Sequence, residues 1–438
     1  MKQIYQIKEY SSFIAEKQAD GYITLPQRTF EQLQEFILYN RSKDTDALEL
    51  MGLSARKGLG MVITAKNYVG VISMKDGTTI EILPKIFSAE DDPSGKREKK
   101  LLVDMLKTLR NSPYKNLQKT NVNTERMNLF EIFIRMFIDE VFFIVKRGLK
   151  SNYETLEENT TFFKGKLLFS QQIRHNHIHK ERSYVQYDAF TVNRPENRLI
   201  KSTLRYLYRV STSSKNRNDI KVLLTSFADV RESTDYKGDF AKYIPDRNTK
   251  DYTTALRWCE VFLMGKSFTS FAGSDVAYAL LFPMETLFES YVAHLLKKQL
   301  NPMEYTVIIQ DKRFHLFDEP NKRFLLKPDI VVKRNADQAI FLLDTKWKLL
   351  SETKPNYGIS QADMYQMYAY QKKYSAQNVM LLYPTSPGIH SNNKITFKSN
   401  DAVTIYVNFF DLFTPSNSIH KLSHHFKFEY DINNDNLP

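Results

Sequence analysis

One stretch constrains this chain more than any other. From Ala339 to Leu343 it reads Ala-Ile-Phe-Leu-Leu, with no polar face, and Asp344-Thr345-Lys346 come directly after it. A strand alternates its side chains between two faces, so apolar residues at successive positions imply cover on both. A carboxylate at the end of such a strand has to be compensated, because burying a lone charge is costly. The preceding strand is expected over Phe324 to Val332 and contains Asp329. If Asn335-Ala336-Asp337-Gln338 forms a tight turn, position 329 faces position 344. Directly opposed residues hold their Cβ atoms roughly 5 Å apart. Two carboxylates at that distance repel each other unless a cation sits between them. Mg²⁺, a hard divalent cation, suits oxygen ligands. Lys346 falls on the same face as Asp344. There it can stabilise charge on a phosphate under attack, or position the attacking water. The expected arrangement has Asp329, Asp344 and the Thr345 backbone carbonyl as metal ligands, with Lys346 beside them. The metal would lower the pKa of a water that attacks phosphorus.

The chain has 438 residues, which favours two or three domains. Residues 1–95 read as a β-rich N-terminal domain. Its clearest piece is a hairpin, with Tyr68-Val69-Gly70-Val71-Ile72 and Thr79-Ile80-Glu81-Ile82-Leu83 on either side of Asp76-Gly77. A polar stretch from Asp91 to Lys100 suggests a linker. Residues 96–268 read as a mainly helical middle region. Its longest helix is expected over Met127 to Gly148, with the glycine as C-cap. Glu131, Arg135 and Asp139 form a polar stripe there, which marks a mostly buried soluble helix, not a membrane span. Residues 269–438 alternate helices and strands. Strands are expected at Tyr305–Ile309, Ile340–Trp347, Val379–Tyr383 and Val403–Phe410, and a helix at Ser360–Tyr374. The fold class is therefore α/β and α+β multidomain, with a mixed sheet in the last domain.

A formal net charge of +12 favours an anionic partner, of which nucleic acid is the commonest. The single cysteine, Cys259, permits no internal disulfide, so a cytoplasmic location is expected. It reads as a small core residue. Gly265-Lys266-Ser267 resembles the end of a phosphate-binding loop, but position 260 is Glu260 where that loop needs glycine, so this chain is expected to bind no nucleotide. His175, His177 and His179 alternate, yet without a fourth ligand or a clear strand they read as a polar loop. The Lys96–Lys100 cluster reads as a solvated helix start.

Pro328-Asp329 with Asp344-Thr345-Lys346 resembles the signature of the PD-(D/E)xK nuclease superfamily. Glu289 on the preceding helix, and Gln366 and Tyr370 one turn apart on the next helix, resemble its supporting elements. Glu289 and Glu285 could equally be the wet face of an amphipathic helix. More of the chain is similar to the McrC family: Tyr68-Val69-Gly70-Val71, Ile80 to Ile86, Arg147-Gly148-Leu149, Gly165-Lys166-Leu167, Asn193 to Arg198, Leu287-Phe288-Glu289 and Asp363 to Met367. The resemblance runs from about residue 60 to 385. It implies the nuclease subunit of a McrBC-type system acting on double-stranded DNA with modified cytosine. It also implies a McrB-like AAA+ GTPase hexamer as partner, docked through the N-terminal half and carrying GTP. The rival readings are a stand-alone repair or recombination nuclease of the same fold, and a non-catalytic adaptor of a ring NTPase.

Overall fold

A computed structural model describes residues 3–41, 50–74, 78–86, 95–109, 128–243, 250–264, 277–389 and 395–427. They form two compact units. One unites the described residues up to 109 with those from 277 onward, and the other holds residues 128–264. The three consecutive segments expected from sequence thus give way to a discontinuous unit and an inserted one. One strand pairing joins the first and last parts of the chain. Strand Ala277–Pro283 runs antiparallel to Tyr68–Met74, within a four-stranded sheet that also holds Ile4–Lys8 and Thr79–Leu83. This close approach explains Gly70. Its φ is +138°, and a Cβ there would lie 1.9 Å from the Leu280 carbonyl oxygen, which only glycine avoids.

The expected hairpin forms, with Gly70 opposite Ile82 and Ser73 opposite Thr79. Its Asp76-Gly77 turn lies outside the described residues, as do Asp91 to Ser94 and Gly265 to Ser267. A second four-stranded sheet, Tyr22–Leu25, Ser12–Ala15, Gly60–Ala65 and Met51–Arg56, completes the β-rich N-terminal part. The lysine cluster before Leu101 opens the helix Lys96–Leu106 with Lys96, Arg97 and Lys100 exposed, as expected, while Lys99 turns inward and sits 2.9 Å from the buried Glu81 carboxylate.

The inserted unit is built mainly of helices and adds a small sheet. It has its long helix, Leu129–Lys146, but it also carries a three-stranded sheet of Asn152–Thr160, Ser183–Thr191 and Lys166–Leu167. Asn152–Thr160 buries none of its residues, so neither face shows an apolar pattern that would have announced a strand. On the long helix Glu131 and Arg135 are buried and paired, and Asp139 is half-buried. Arg135 bonds Asp139 at 2.8 Å and pairs with Asp219, while Glu131 accepts from the Ser211 hydroxyl and the Asn216 amide, each at 2.8 Å. Those bonds tie it to the helix Ser214–Ser226 and the turn that leads into it. Cys259 is buried on the helix Thr253–Met264. Among the described residues, no helix is long and apolar enough to cross a membrane.

The last part of the discontinuous unit is built on a six-stranded mixed sheet. Its order is Tyr305–Ile309, Ile330–Arg334, Ile340–Thr345, Asn378–Pro384, Thr404–Phe410 and Ile395–Lys398. Each neighbouring pair among the first three strands is antiparallel, and the third, fourth and fifth run parallel. The helix Gln361–Tyr374 makes the crossover between the two parallel central strands. Ser360 caps it, its hydroxyl accepting the Asp363 N–H. The strand expected over Phe324 to Val332 divides. Arg323–Leu325 pairs with His315–Phe317, and Ile330–Arg334 enters the large sheet. Pro328, which has no N–H to give a ladder, stands between them.

Candidate active site

The strand Ile340–Thr345 is buried almost from end to end: Phe341, Leu342 and Leu343 are 0–1% exposed, and Asp344 is 3% exposed. Its antiparallel partner sets Ile330 against Leu343, so one further step along the register puts Asp329 opposite Asp344. The turn that fixes this register is held by Arg334, whose guanidinium makes two bonds to Asp337, at 2.9 and 2.7 Å. That pairing keeps the Asp337 carboxyl low, at about 2.

Three side chains meet at the end of the strand. Asp329 Oδ2 accepts two bonds from Thr345, one from its N–H and one from its hydroxyl, both 2.8 Å. Lys346 Nζ lies 2.8 Å from Asp344 Oδ2 and 3.4 Å from Asp363 Oδ1. It also donates to Gln366 Oε1 at 3.2 Å. Burial and the neighbouring Asp329 charge push the Asp344 carboxyl up to about 7, against the pull of Lys346. Burial also raises Asp329, although the two Thr345 bonds work the other way. For Lys346, burial works against the charge, but Asp344, Asp363 and Asp329 outweigh it and hold the ammonium charged. Two carboxylates sharing a poorly hydrated corner resist joint ionisation, and added positive charge relieves that resistance.

These groups line an open cavity of about 750 Å³. Asp329, Asp344, Thr345, Lys346, Glu289 and Gln366 all face it, so six of the seven residues singled out from sequence come together. Glu289 accepts from the Gln310 amide at 2.9 Å. Tyr370 is the seventh. It stands behind the wall, 2% exposed, with its hydroxyl accepting from Gln366 Nε2 at 2.9 Å. Burial, with Asp344 nearby, holds that phenol protonated far above its ordinary value. The pair therefore orients the Gln366 amide, whose oxygen receives Lys346. Among the described residues, no group of three or more His, Cys, Asp or Glu has the geometry to hold a metal ion. His175, His177 and His179 accordingly form no such group. His175 ends a short helix, and the other two lie in irregular chain after it.

Sequence reasoning gives no role to several other wall residues, among them Asp363, Lys327 and Tyr10. Asp363 lies one helical turn before Gln366, a spacing that could have pointed to it. Lys327 adds a cation beside Asp329. Tyr10 comes from the far N-terminus, and nothing local in sequence connects it to this cavity.

Comparisons with known proteins agree with this architecture. The chain is similar to a chain of the refined half-complex from the tetradecameric assembly of Thermococcus gammatolerans McrB AAA+ hexamers with bound McrC. The match is 19% identical, covers 97% of this chain and 100% of that one, and has a TM-score of 0.67. A second match, to the cryo-EM structure of the Thermococcus gammatolerans McrBC complex, is also 19% identical. It covers 68% and 88%, with a TM-score of 0.48. No curated protein matches. The family model described as McrBC 5-methylcytosine restriction system component matches residues 63–384. Spanning well over half of the chain and both units, that match makes this protein a member of the McrBC restriction family, of the McrC type that its motifs resemble.

Proposed function

We propose that this chain is the DNA-cutting subunit of a McrBC-type restriction complex, and that it hydrolyses phosphodiester bonds in double-stranded DNA carrying modified cytosine. The observation that carries the reading is the meeting of Asp329, Asp344 and Lys346 on one cavity wall at the end of a doubly covered strand. This constellation resembles that of PD-(D/E)xK nucleases.

The donor set fits Mg²⁺. That ion accepts one or two carboxylates, fills its remaining positions with water and substrate phosphate, and needs no cage of three acidic groups. Asp329 and Asp344 would hold it, with the Thr345 carbonyl as a further oxygen. When bound it supplies Lewis-acid activation of water and phosphate. The chain's own groups do the rest. Thr345 fixes the Asp329 carboxylate through two bonds, so the acid needs no rearrangement during the reaction. Lys346 keeps its proton and would face the phosphoryl oxygens on which negative charge develops. Gln366, braced by Tyr370, and Asp363 keep the ammonium aimed into the cavity.

The partner is a McrB-like AAA+ hexamer, the kind of ring present in the assembly to which the fold is similar. GTP is that partner's nucleotide in this reading. Asp344→Ala is expected to lower the cleavage rate of methylated DNA by at least about 1,000-fold. Co-purification with the partner and stimulation of its GTPase should persist. The assay is initial cutting rate with chain, partner, GTP and Mg²⁺. Cutting within tenfold of wild type would move the chemistry elsewhere.

A further inference from the structure

The N-terminal β-rich part contributes a buried acid that the chemistry above does not use. Glu9 comes directly after the strand Ile4–Lys8 and is 0% exposed. Its backbone is fixed, the N–H donating to the Leu83 carbonyl at 2.9 Å. Its carboxylate receives the Lys85 N–H at 2.7 Å. It also receives the Trp347 indole N–H, which lies 3.0 and 3.1 Å from its two oxygens.

Trp347 is the immediate neighbour of Lys346. Its ring packs edge-on against Phe288, with centroids 5.4 Å apart, and Phe288 adjoins Glu289 on the helix that walls the cavity. Beyond Thr345 the chain leaves the regular strand. Lys346 keeps one ladder bond, from its N–H to the Leu382 carbonyl at 2.9 Å. Past that bond the chain is irregular, and the indole is its next anchor. The acid end of that anchor is supplied from more than 300 residues earlier in the sequence. The same N-terminal segment then reaches the cavity itself through Tyr10, which lines the wall with a left-handed backbone, φ +61°. A non-glycine residue holds that conformation only where its surroundings impose it.

We infer that Glu9 is a positioning residue for DNA cleavage, holding Lys346 in register by clamping the indole of Trp347. The inference rests on the nuclease reading. A displacement of about 1 Å in a reacting group can cost on the order of 100-fold in rate, so a loosened strand end would show in turnover before it showed in folding.

The test uses the full chain with its AAA+ partner, GTP, Mg²⁺ and methylated DNA. Glu9→Gln keeps the size of the side chain but turns a donor toward donors. Trp347→Phe keeps an aromatic ring against Phe288 and removes the N–H. Each is expected to lower kcat about tenfold or more, with KM for DNA within about twofold. The double variant should be no slower than the slower single one, because one link is removed in all three. Wild-type kcat in Trp347→Phe, or multiplying losses in the double variant, would overturn the inference. If Glu9→Gln fails to fold, Trp347→Phe alone decides by its kcat. Asp344→Ala is measured alongside. Cutting by that variant sinks the nuclease reading, whereas a silent Asp344→Ala beside fast Glu9 and Trp347 variants sinks only the positioning role.

Discussion

Two sheets of this molecule solve opposite problems. The strand Ile340–Thr345 is covered on both faces, and the strand Asn152–Thr160 is wet on nearly all of its length. In the first, apolar side chains provide the stability and the two charged groups at its end have no structural excuse. In the second, a nine-residue antiparallel ladder and cross-strand pairs hold the sheet, among them Tyr153 against Phe190 and Thr155 against Asp188. A charge in the buried strand is therefore informative about chemistry, whereas Glu154, Glu157 and Glu158 in the exposed strand say almost nothing.

That contrast can be broken most directly at its catalytic end. Lys346→Ala should cut DNA about 100- to 1,000-fold more slowly, the cost of losing a preorganised cation at the reacting phosphate. Its unfolding free energy, from urea titration, should stay within about 1 kcal/mol of wild type. A large loss of stability with little loss of rate would invert the reading of that residue.

The middle of the same strand should behave in the opposite way. Leu342, 1% exposed, packs in the core with Val331 and Val379. Leu342→Ala is expected to cost about 3 kcal/mol in the same titration.

Asp344 joins the two effects. Its carboxyl is pushed up to about 7 in the fold, from an ordinary value of 3.8. A folded-state value above the unfolded one means stability is greatest at low pH and is lost as pH climbs between those values. Without a divalent cation, the fold should lose on the order of 4 kcal/mol across that window on this account. Asp344→Asn should remove the loss while abolishing cleavage. Added Mg²⁺ should raise the melting temperature more at a pH above that window than at one inside it. Equal Mg²⁺ effects at both would argue against these carboxylates as ligands.

On the wet sheet the effects should be smallest. Tyr153→Ala removes half of an aromatic cross-strand pair and is expected to cost about 0.5–1 kcal/mol. A cost near that of Leu342→Ala would mean this sheet carries a hidden core.

The contrast also explains which parts of the molecule can be read in advance. Counting outward from Asn335-Ala336-Asp337-Gln338 places Asp329 opposite Asp344, because antiparallel register is fixed once the turn is known. A resemblance of pattern points to Glu289, Gln366 and Tyr370, and the geometry gives each a partner. The exposed strands of the inserted unit are not legible, since alternation disappears when neither face is buried. The burial of Arg135 and Glu131 is hidden for a related reason. A polar stripe along a helix looks the same whether it meets water or a set of matched hydrogen-bonding groups.

By itself the sequence determined the buried central strand, the register of its hairpin, the spacing of Asp344 and Lys346, and the long helix that ends at Gly148. All of these depend on residues close together in the chain, where periodicity and turn chemistry act. Only the tertiary structure decided that the first and last parts of the chain form one unit, that Gly70 must yield space to Leu280, that Glu9 receives the Trp347 indole and that Tyr10 reaches the cavity of Asp329 and Asp344. Those contacts join residues separated by hundreds of positions. No local propensity encodes them, and they are settled by which surfaces bury best against each other once the strands have formed.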